Sequence, residues 1–400
     1  MYEELAIIAA FTFCYSVISG RVDRMSMSAP IVFVFVGLLL GPSFLSWLPA
    51  DVAQIEYRTL IDLTLALVLF NDAASSDSAV LRVKVALPAR LLLLGLPGAI
   101  GLGFIIGYFV FGDLAVYEVA ILATMLAATD AALGKAVVSN EAVPARLREG
   151  LNCESGLNDG MAVPVLLVFI ALAHSANGVD SEVSALELVA EEIGIGAGVG
   201  LVVAGIGAWL LREGAAKGWV SKVWVQLSVP ALAITCFALA QSLHGSGYIA
   251  AFVGGMLFGI LAKEATHKLV MPSEGIGEAM AMLTWMIFGA VVIARIATEI
   301  NLEIALYAVL SLTVIRMLPI FLSLTGSGES NSSKLFLGWF GPRGLASIVF
   351  AIIVVNEQLP GSDFMATVVA TTVLLSLVAH GVSANPLARW IAGREGKAGS

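Results

Sequence analysis

Two lines of polar side chains along one apolar helix are the part of this sequence that can do chemistry. The stretch Gly150 to Pro164 reads GLNCESGLNDGMAVP and continues to Leu172 as lipid-soluble helix. Ser155 and Asp159 are four residues apart and share a face, while Glu154 and Asn158, also four apart, share the adjacent one. A carboxylate at the centre of a bilayer costs roughly 2.5 kcal/mol or more, so its presence there marks function. Pro164 has no N–H, which leaves the carbonyl of Gly160 without its helical partner just beyond Asp159. A desolvated, unpaired carboxylate must hold a proton or bind a cation. That alternation is the chemistry of a proton-coupled cation exchanger. The competing reading of 150–164 is a cytoplasmic loop that only has helical spacing.

Other charges at depth need partners. Arg343 stands in WFGPRGLAS, where Gly341, Pro342 and Gly344 interrupt regular hydrogen bonding. Glu154 and Arg343 each lie nine residues beyond the inner start of their spans, Ala145 and Lys334. That is ~14 Å at the helical rise, so an ion pair between them is expected, as buried charges survive by pairing. The rival assignment pairs Asp159 with Arg343 and leaves Glu154 to bind the cation. Asp130, beside Thr129 in LAATDAALG, can compensate the positive end of a half-helix if its own helix breaks there, with freed carbonyls as cation ligands. The plainer reading of Asp130 is an N-cap or a polar contact between helices. Arg316 is an accessory candidate that otherwise snorkels or ties helices together. Asn71 and Asp72, in LVLFNDAASSD, are accessory candidates too, read mainly as a solvated helix end. The four histidines show no metal-ligand spacing, and His380 is expected to be structural or to face a lumen. The glycines of 194–207 fit close helix packing and follow no strand, which excludes a nucleotide-binding turn.

The elements that must position these groups are membrane spans. Of 400 residues, 59% are hydrophobic and 13% charged, and the mean hydropathy is +0.94, far from a soluble domain. Cys14, Cys153 and Cys236 lie in apolar runs with no disulfide or metal spacing. Glu3 and Glu4 stand where a cleavable signal would carry positive charge. Apolar runs of span length fall at 3–20, 29–42, 56–72, 85–111, 114–138, 145–174, 183–212, 219–243, 247–262, 273–298, 301–325, 334–356 and 362–391. Alternate connections collect basic residues, among them Arg24, Arg82, Lys84, Lys135, Arg146 and Arg212. The others collect acids, among them Asp51, Glu56, Asp113, Asp180, Glu299 and Glu357. The basic side is cytoplasmic, which puts the N-terminus outside and the C-terminus inside. Six spans, one linking span and six more then form an inverted repeat, with the site near the midplane. The expected fold is all-α: a polytopic membrane protein of 13 transmembrane helices with six-helix inverted repeats.

At these residues the sequence resembles a known group. LAATDAALGKAVVSNEAVPARLREGLNCESGLNDGMAVP is similar to the paired Thr-Asp and Glu-Ser-x-x-Asn-Asp motifs of the monovalent cation–proton antiporter 1 family. FGPRGLASIVFA resembles that family's arginine-bearing broken helix. The resemblance implies the antiporter fold with two crossed broken helices. It makes Asp159 the cation- and proton-binding carboxylate, with Ser155 and Thr129 as Na⁺ ligands, Thr129 through its backbone. It makes Asn158 the neutral neighbour that goes with electroneutral exchange, Glu154 and Arg343 a structural ion pair, and Asp130 the residue at the crossing. It implies a homodimer, with a dimerisation scaffold at 1–84 and 183–298 and a transport core at 85–182 and 299–400. Two positions depart from the family pattern. Ala131 stands where proline often follows the Thr-Asp, and Asn71 follows Phe70 where a Phe-Glu pair is usual. No counterpart of the large cytoplasmic tail of some members is expected.

The expected function is therefore electroneutral one-for-one exchange of Na⁺, and of Li⁺, for H⁺ by alternating access at the inner cell membrane, serving pH homeostasis. A potassium-preferring exchanger is the alternative within transport, and a cation channel lined by Asp159 the alternative outside it. No metal motif or nucleophile–base pair supports an intramembrane enzyme. No cofactor and no nucleic acid is expected; the partners are the two ions, the bilayer and a second copy.

Overall fold

In a bilayer core a backbone has no water to bond to, so apolar runs of this length close their hydrogen bonds within helices. The computed structural model describes residues 2–22, 28–42, 44–47, 54–76, 86–130, 133–138, 140–178 and 182–398. The topology markers Arg24, Asp51, Arg82, Lys84 and Asp180, and the departure at Ala131, lie outside the described residues, as do the side chains of Glu56 and Lys135. No strand occurs among the described residues.

The chain begins with α1 (Tyr2–Val22), α2 (Ala29–Leu40), α3 (Gln54–Ser75) and α4 (86–110, with a π-turn at Leu91–Gly95). It continues with α5 (Val116–Met125), α6 (Lys135–Val138), α7 (Ala145–Ala176), α8 (Glu182–Ala216), α9 (Trp224–Ser242) and α10 (Gly247–Ala262). Then follow α11 (266–296, with a π-turn at Phe288–Val292), α12 (302–323), α13 (Asn331–Trp339), α14 (Leu345–Asn356) and α15 (Ser362–Ala398). Eight of the described helices are long and apolar enough to cross a membrane, and four shorter apolar ones accompany them.

Helix α3 packs against α10 and α11, α10 against α8 and α9, and α11 against α2. On the other side α5 packs against α4 and α7, α12 against α4, α13 and α15, and α14 against α15. Two segments are interrupted. Helix α5 ends at Met125, ahead of the turn carrying Thr129 and Asp130, and α13 ends at Trp339, ahead of Gly341, Pro342, Arg343 and Gly344. The second break follows from its glycines and proline. The first follows from little in its own residues. It exists because the other segment satisfies its backbone groups.

Candidate cation site

Helix α7 carries the polar face singled out in the sequence. Asp159 is 6% exposed, fourteen residues from the Ala145 start, or ~21 Å along the helix. Its Oδ1 has no hydrogen-bond partner among the described residues, and the Thr129 backbone bonds its carboxyl group. One turn earlier, Ser155 Oγ lies 3.1 Å from Thr129 Oγ1. Asn158, fully buried, donates from Nδ2 to the same Thr129 hydroxyl at 2.5 Å. The structure thus brings Thr129, Ser155, Asn158 and Asp159 together as a set of oxygens around one carboxylate. Thr129 enters through its backbone, which bonds the Asp159 carboxyl group, and through its hydroxyl, which meets Ser155 and Asn158.

Each break is closed by the other. The Asp130 N–H donates to the Pro342 carbonyl at 2.8 Å. Asp130 Oδ2 accepts from the Leu345 N–H at 2.9 Å, at the start of α14, and Oδ1 accepts from Leu133 N–H at 3.3 Å. Its negative charge therefore sits on the positive, donor-rich end of a half-helix. In return, Arg343 Nη1 donates to the Ala127 and Ala128 carbonyls at 2.7 and 3.1 Å, and Ser347 Oγ donates to the Met125 carbonyl at 2.8 Å. These are carbonyls that lose their helical partners where α5 stops. Both readings of Asp130 thus coincide, since its cap and its interhelical contact are one hydrogen bond.

Two sequence expectations are corrected here. Glu154 is not paired with Arg343. Its partner is Arg316, whose Nη1 lies 2.5 Å from Glu154 Oε1, both side chains being 1% exposed. The contact is one of charge and distance, since neither guanidinium nor carboxylate is aligned for a good hydrogen bond. Arg343 instead directs Nη1 to the carbonyls of the first break, with Nη2 reaching the Ser311 carbonyl at 3.5 Å and Nε without a hydrogen-bond partner among the described residues. Room for Arg316 comes from Gly341, where a Cβ would fall 2.3 Å from its Nε. The rival pairing of Asp159 with Arg343 is not formed either.

The second correction concerns Asn71 and Asp72, which are not a solvated helix end. Helix α3 runs on to Ser75, Asn71 is 3% exposed, and its Oδ1 has no hydrogen-bond partner among the described residues. Asn71, Asp72, Asp130 and Asp159 all line one cavity of about 250 Å³. The same cavity is lined by Glu274 and Glu278 of α11, residues the sequence reading passed over. Their spacing of four was the available signal, because it puts both on one helical face. The cavity wall thus joins α3 and α11 on one side to α7 and the two breaks on the other, and carboxylates from both sides face it.

Among the described residues this is an all-helical membrane fold in which two interrupted segments close one another beside a buried carboxylate, an arrangement found in secondary transporters. The sodium/hydrogen exchanger, transmembrane family matches residues 7–390, so the chain belongs to this family of cation/proton antiporters and is a multi-pass membrane protein. It is similar to the K(+)/H(+) antiporter NhaP of Alkalimonas amylolytica, 24% identical over 388 residues, covering 96% of this chain and 66% of that protein. The Na(+)/H(+) antiporter 2 of Zygosaccharomyces rouxii is 26% identical over 373 residues, covering 88% and 46% respectively. The chain thus spans 66% of the length of the first of these relatives. Its fold is similar to the structure of the sodium proton antiporter MjNhaP1 from Methanocaldococcus jannaschii at pH 8. The TM-score is 0.78 at 20% identity, with 95% of this chain and 98% of that chain covered.

Proposed function

We propose that this protein exchanges one monovalent cation, Na⁺ in the first reading and Li⁺ with it, for one proton at Asp159. The observation that carries the reading is buried Asp159, whose Oδ1 has no hydrogen-bond partner among the described residues and which lines a cavity shared with other acids. A carboxylate so placed is neutralised by a proton or by a cation, and in either state the site as a whole carries the same charge. Asn158 beside it has no charge to add. Ser155 and Thr129 supply further oxygens for the bare ion. Asp130 and Arg343 neutralise the ends of the half-helices, and Glu154 with Arg316 ties α7 to α12.

We further propose the plan around the site: thirteen spans with an external N-terminus, inverted six-helix repeats and a homodimer in the inner membrane. The scaffold is 1–84 with 183–298, and the core is 85–182 with 299–400. The packing of α3 and α8 on α10, of α3 on α11, and of α5 on α7 and α14 on α15 supports that division, with α7 against α8, α3 and α10 as the seam between the two parts. Asn152 and Glu278 in its lining, near the ends of spans read as cytoplasmic, support taking the cavity as the inward access route. Rocking of the core against the scaffold moves Asp159 to the other side.

A second reading, potassium for protons, is supported by the names of the NhaP relatives of Alkalimonas and Shewanella. It is also supported by Asn71, a neutral amide at a wall where the resemblance implies a carboxylate. Purified protein in proteoliposomes, given Na⁺, Li⁺ and K⁺ in turn under a pH gradient, separates the two. Proton movement with K⁺ but not Na⁺ selects the second, and unsaturating flux uncoupled from protons rejects both.

A further inference from the structure

The last helix holds a buried imidazole that the exchange reaction does not use. His380 of α15 is 2% exposed and sits against the rings of Trp339 and Phe340. Its Nε2 lies 2.9 Å from the carbonyl of Trp339, the last residue of α13. Its Nδ1 lies 3.1 Å from Ser376 Oγ and 2.9 Å from the Ser376 carbonyl. Ser376 Oγ in turn accepts the Arg343 backbone N–H at 2.7 Å. Trp339 is tied to the same helix a second time, its Nε1 donating to Ser383 Oγ at 2.8 Å.

These contacts meet the two sides of one break. On one side is the Trp339 carbonyl, which loses its helical partner where α13 stops and accepts the Gly341 N–H at 2.8 Å beside the ring. On the other is the amide of Arg343, the residue whose side chain closes the first break beside Thr129. We propose that His380 is a positioning residue for the cation site: as its Nε2–H tautomer it donates to Trp339 and accepts the Ser376 hydroxyl hydrogen at Nδ1. The hydroxyl already accepts from Arg343, so its own hydrogen points away from that amide and toward the ring. One directed chain then runs from the Arg343 N–H through Ser376 and His380 to the Trp339 carbonyl. It fixes the backbone from 339 to 343, and with it the height at which Arg343 reaches Ala127 and Ala128. The alternative Nδ1–H form would donate to the Ser376 carbonyl, 2.9 Å away, release the serine hydroxyl and leave Trp339 without a donor from the ring.

The inference rests on the exchange reading for its consequence and on the hydrogen bonds for its content, so two measurements separate them. Nitrogen-15 NMR of histidine-labelled protein contains four histidines, and the His380 signals are those lost in His380→Gln. A protonated Nε2 with a bare, hydrogen-bonded Nδ1 is expected. A protonated Nδ1, alone or in an imidazolium, overturns the assignment whatever the protein transports. In proteoliposomes, with whichever of Na⁺ or K⁺ the unaltered protein exchanges, His380→Ala should raise the half-saturating concentration about fivefold, the worth of one hydrogen bond. The maximal rate per folded molecule should stay within about twofold, since Asp159 is untouched. Ser376→Ala should do the same, and the double variant should be little worse than either single one, because both cut one chain. His380→Gln, with an amide donor that reaches toward Trp339, should recover part of the loss. An unchanged half-saturating concentration in folded His380→Ala sinks the inference. Unaltered protein that moves no protons with any monovalent cation sinks the exchange reading instead.

Discussion

Arg316 on α12 and Glu154 on α7 form an ion pair inside the protein, with Nη1 2.5 Å from Oε1 and both side chains removed from solvent. Taking away one partner leaves the other charge buried alone, at a cost of roughly 3–5 kcal/mol. Arg316→Ala and Glu154→Gln should each lower the thermal midpoint of the detergent-solubilised protein strongly. The double variant should lose clearly less than the sum. Additive losses would show that the two charges are not each other's partners.

Gly344 has a φ of −152°, which any residue can adopt, so what it supplies is space. A Cβ there would lie 2.1 Å from Asp130 Oδ2, the acceptor for the Leu345 amide. Gly344→Ala must therefore push the two breaks apart, whereas Asp130→Ala only removes a helix cap, worth about 0.5–2 kcal/mol. Gly344→Ala should cost more stability and more exchange activity than Asp130→Ala. The reverse order, measured by thermal unfolding and proteoliposome flux, would mean that the close approach is not what the crossing depends on.

Competition for Asp159 has a definite pH signature. Only the deprotonated carboxylate binds the cation, and the protonated fraction grows as pH falls. Below the pKa of the site the apparent affinity should weaken about tenfold per pH unit, roughly 1.4 kcal/mol. Above it the affinity should be constant. Log half-saturating concentration against pH should thus have unit slope on the acid side, and Asp159→Asn should abolish exchange altogether. A slope near two would require a second displaced proton.

Charge balance follows from the same site. One proton replaced by one monovalent cation beside neutral Asn158 moves no net charge. A potential set with potassium and valinomycin should leave sodium-driven proton flux unchanged, provided potassium is not exchanged. A voltage-dependent rate would identify a second titrating carboxylate, with Asp130 and Asp72 the first to replace.

Orientation can be read with single cysteines. Cys14 is exposed while Cys153 and Cys236 are buried, so a Cys14→Ser background is needed. Ser184 and Ser221 are both exposed. An impermeant thiol reagent should label Ser184→Cys from outside and Ser221→Cys from inside. The opposite pattern would invert the topology.

The sequence by itself determined that this chain lives in the membrane, that Asp159 is a carboxylate within one of its apolar helices, and that Ser155 and Asn158 stand beside it. Hydropathy over a span length and the four-residue helical spacing are local properties, and they survive any arrangement of the helices. The choice of arginine for Glu154 was not local. Arg343 matched it in depth along a helix, but depth does not say which helices touch. Only after the breaks meet do the carbonyls of Ala127 and Ala128 exist as acceptors, and they take Arg343, which leaves Glu154 to Arg316. The interruption after Met125 was implied by the resemblance but not by its own residues, because the groups that satisfy its backbone, Arg343 and Ser347, come from a segment about two hundred residues away. Asn71 follows the same logic. Next to Asp72, near the end of an apolar run, it had every local mark of a wet helix end. The packing of α3 against α10 and α11 buries it at the wall of the acid-lined cavity instead.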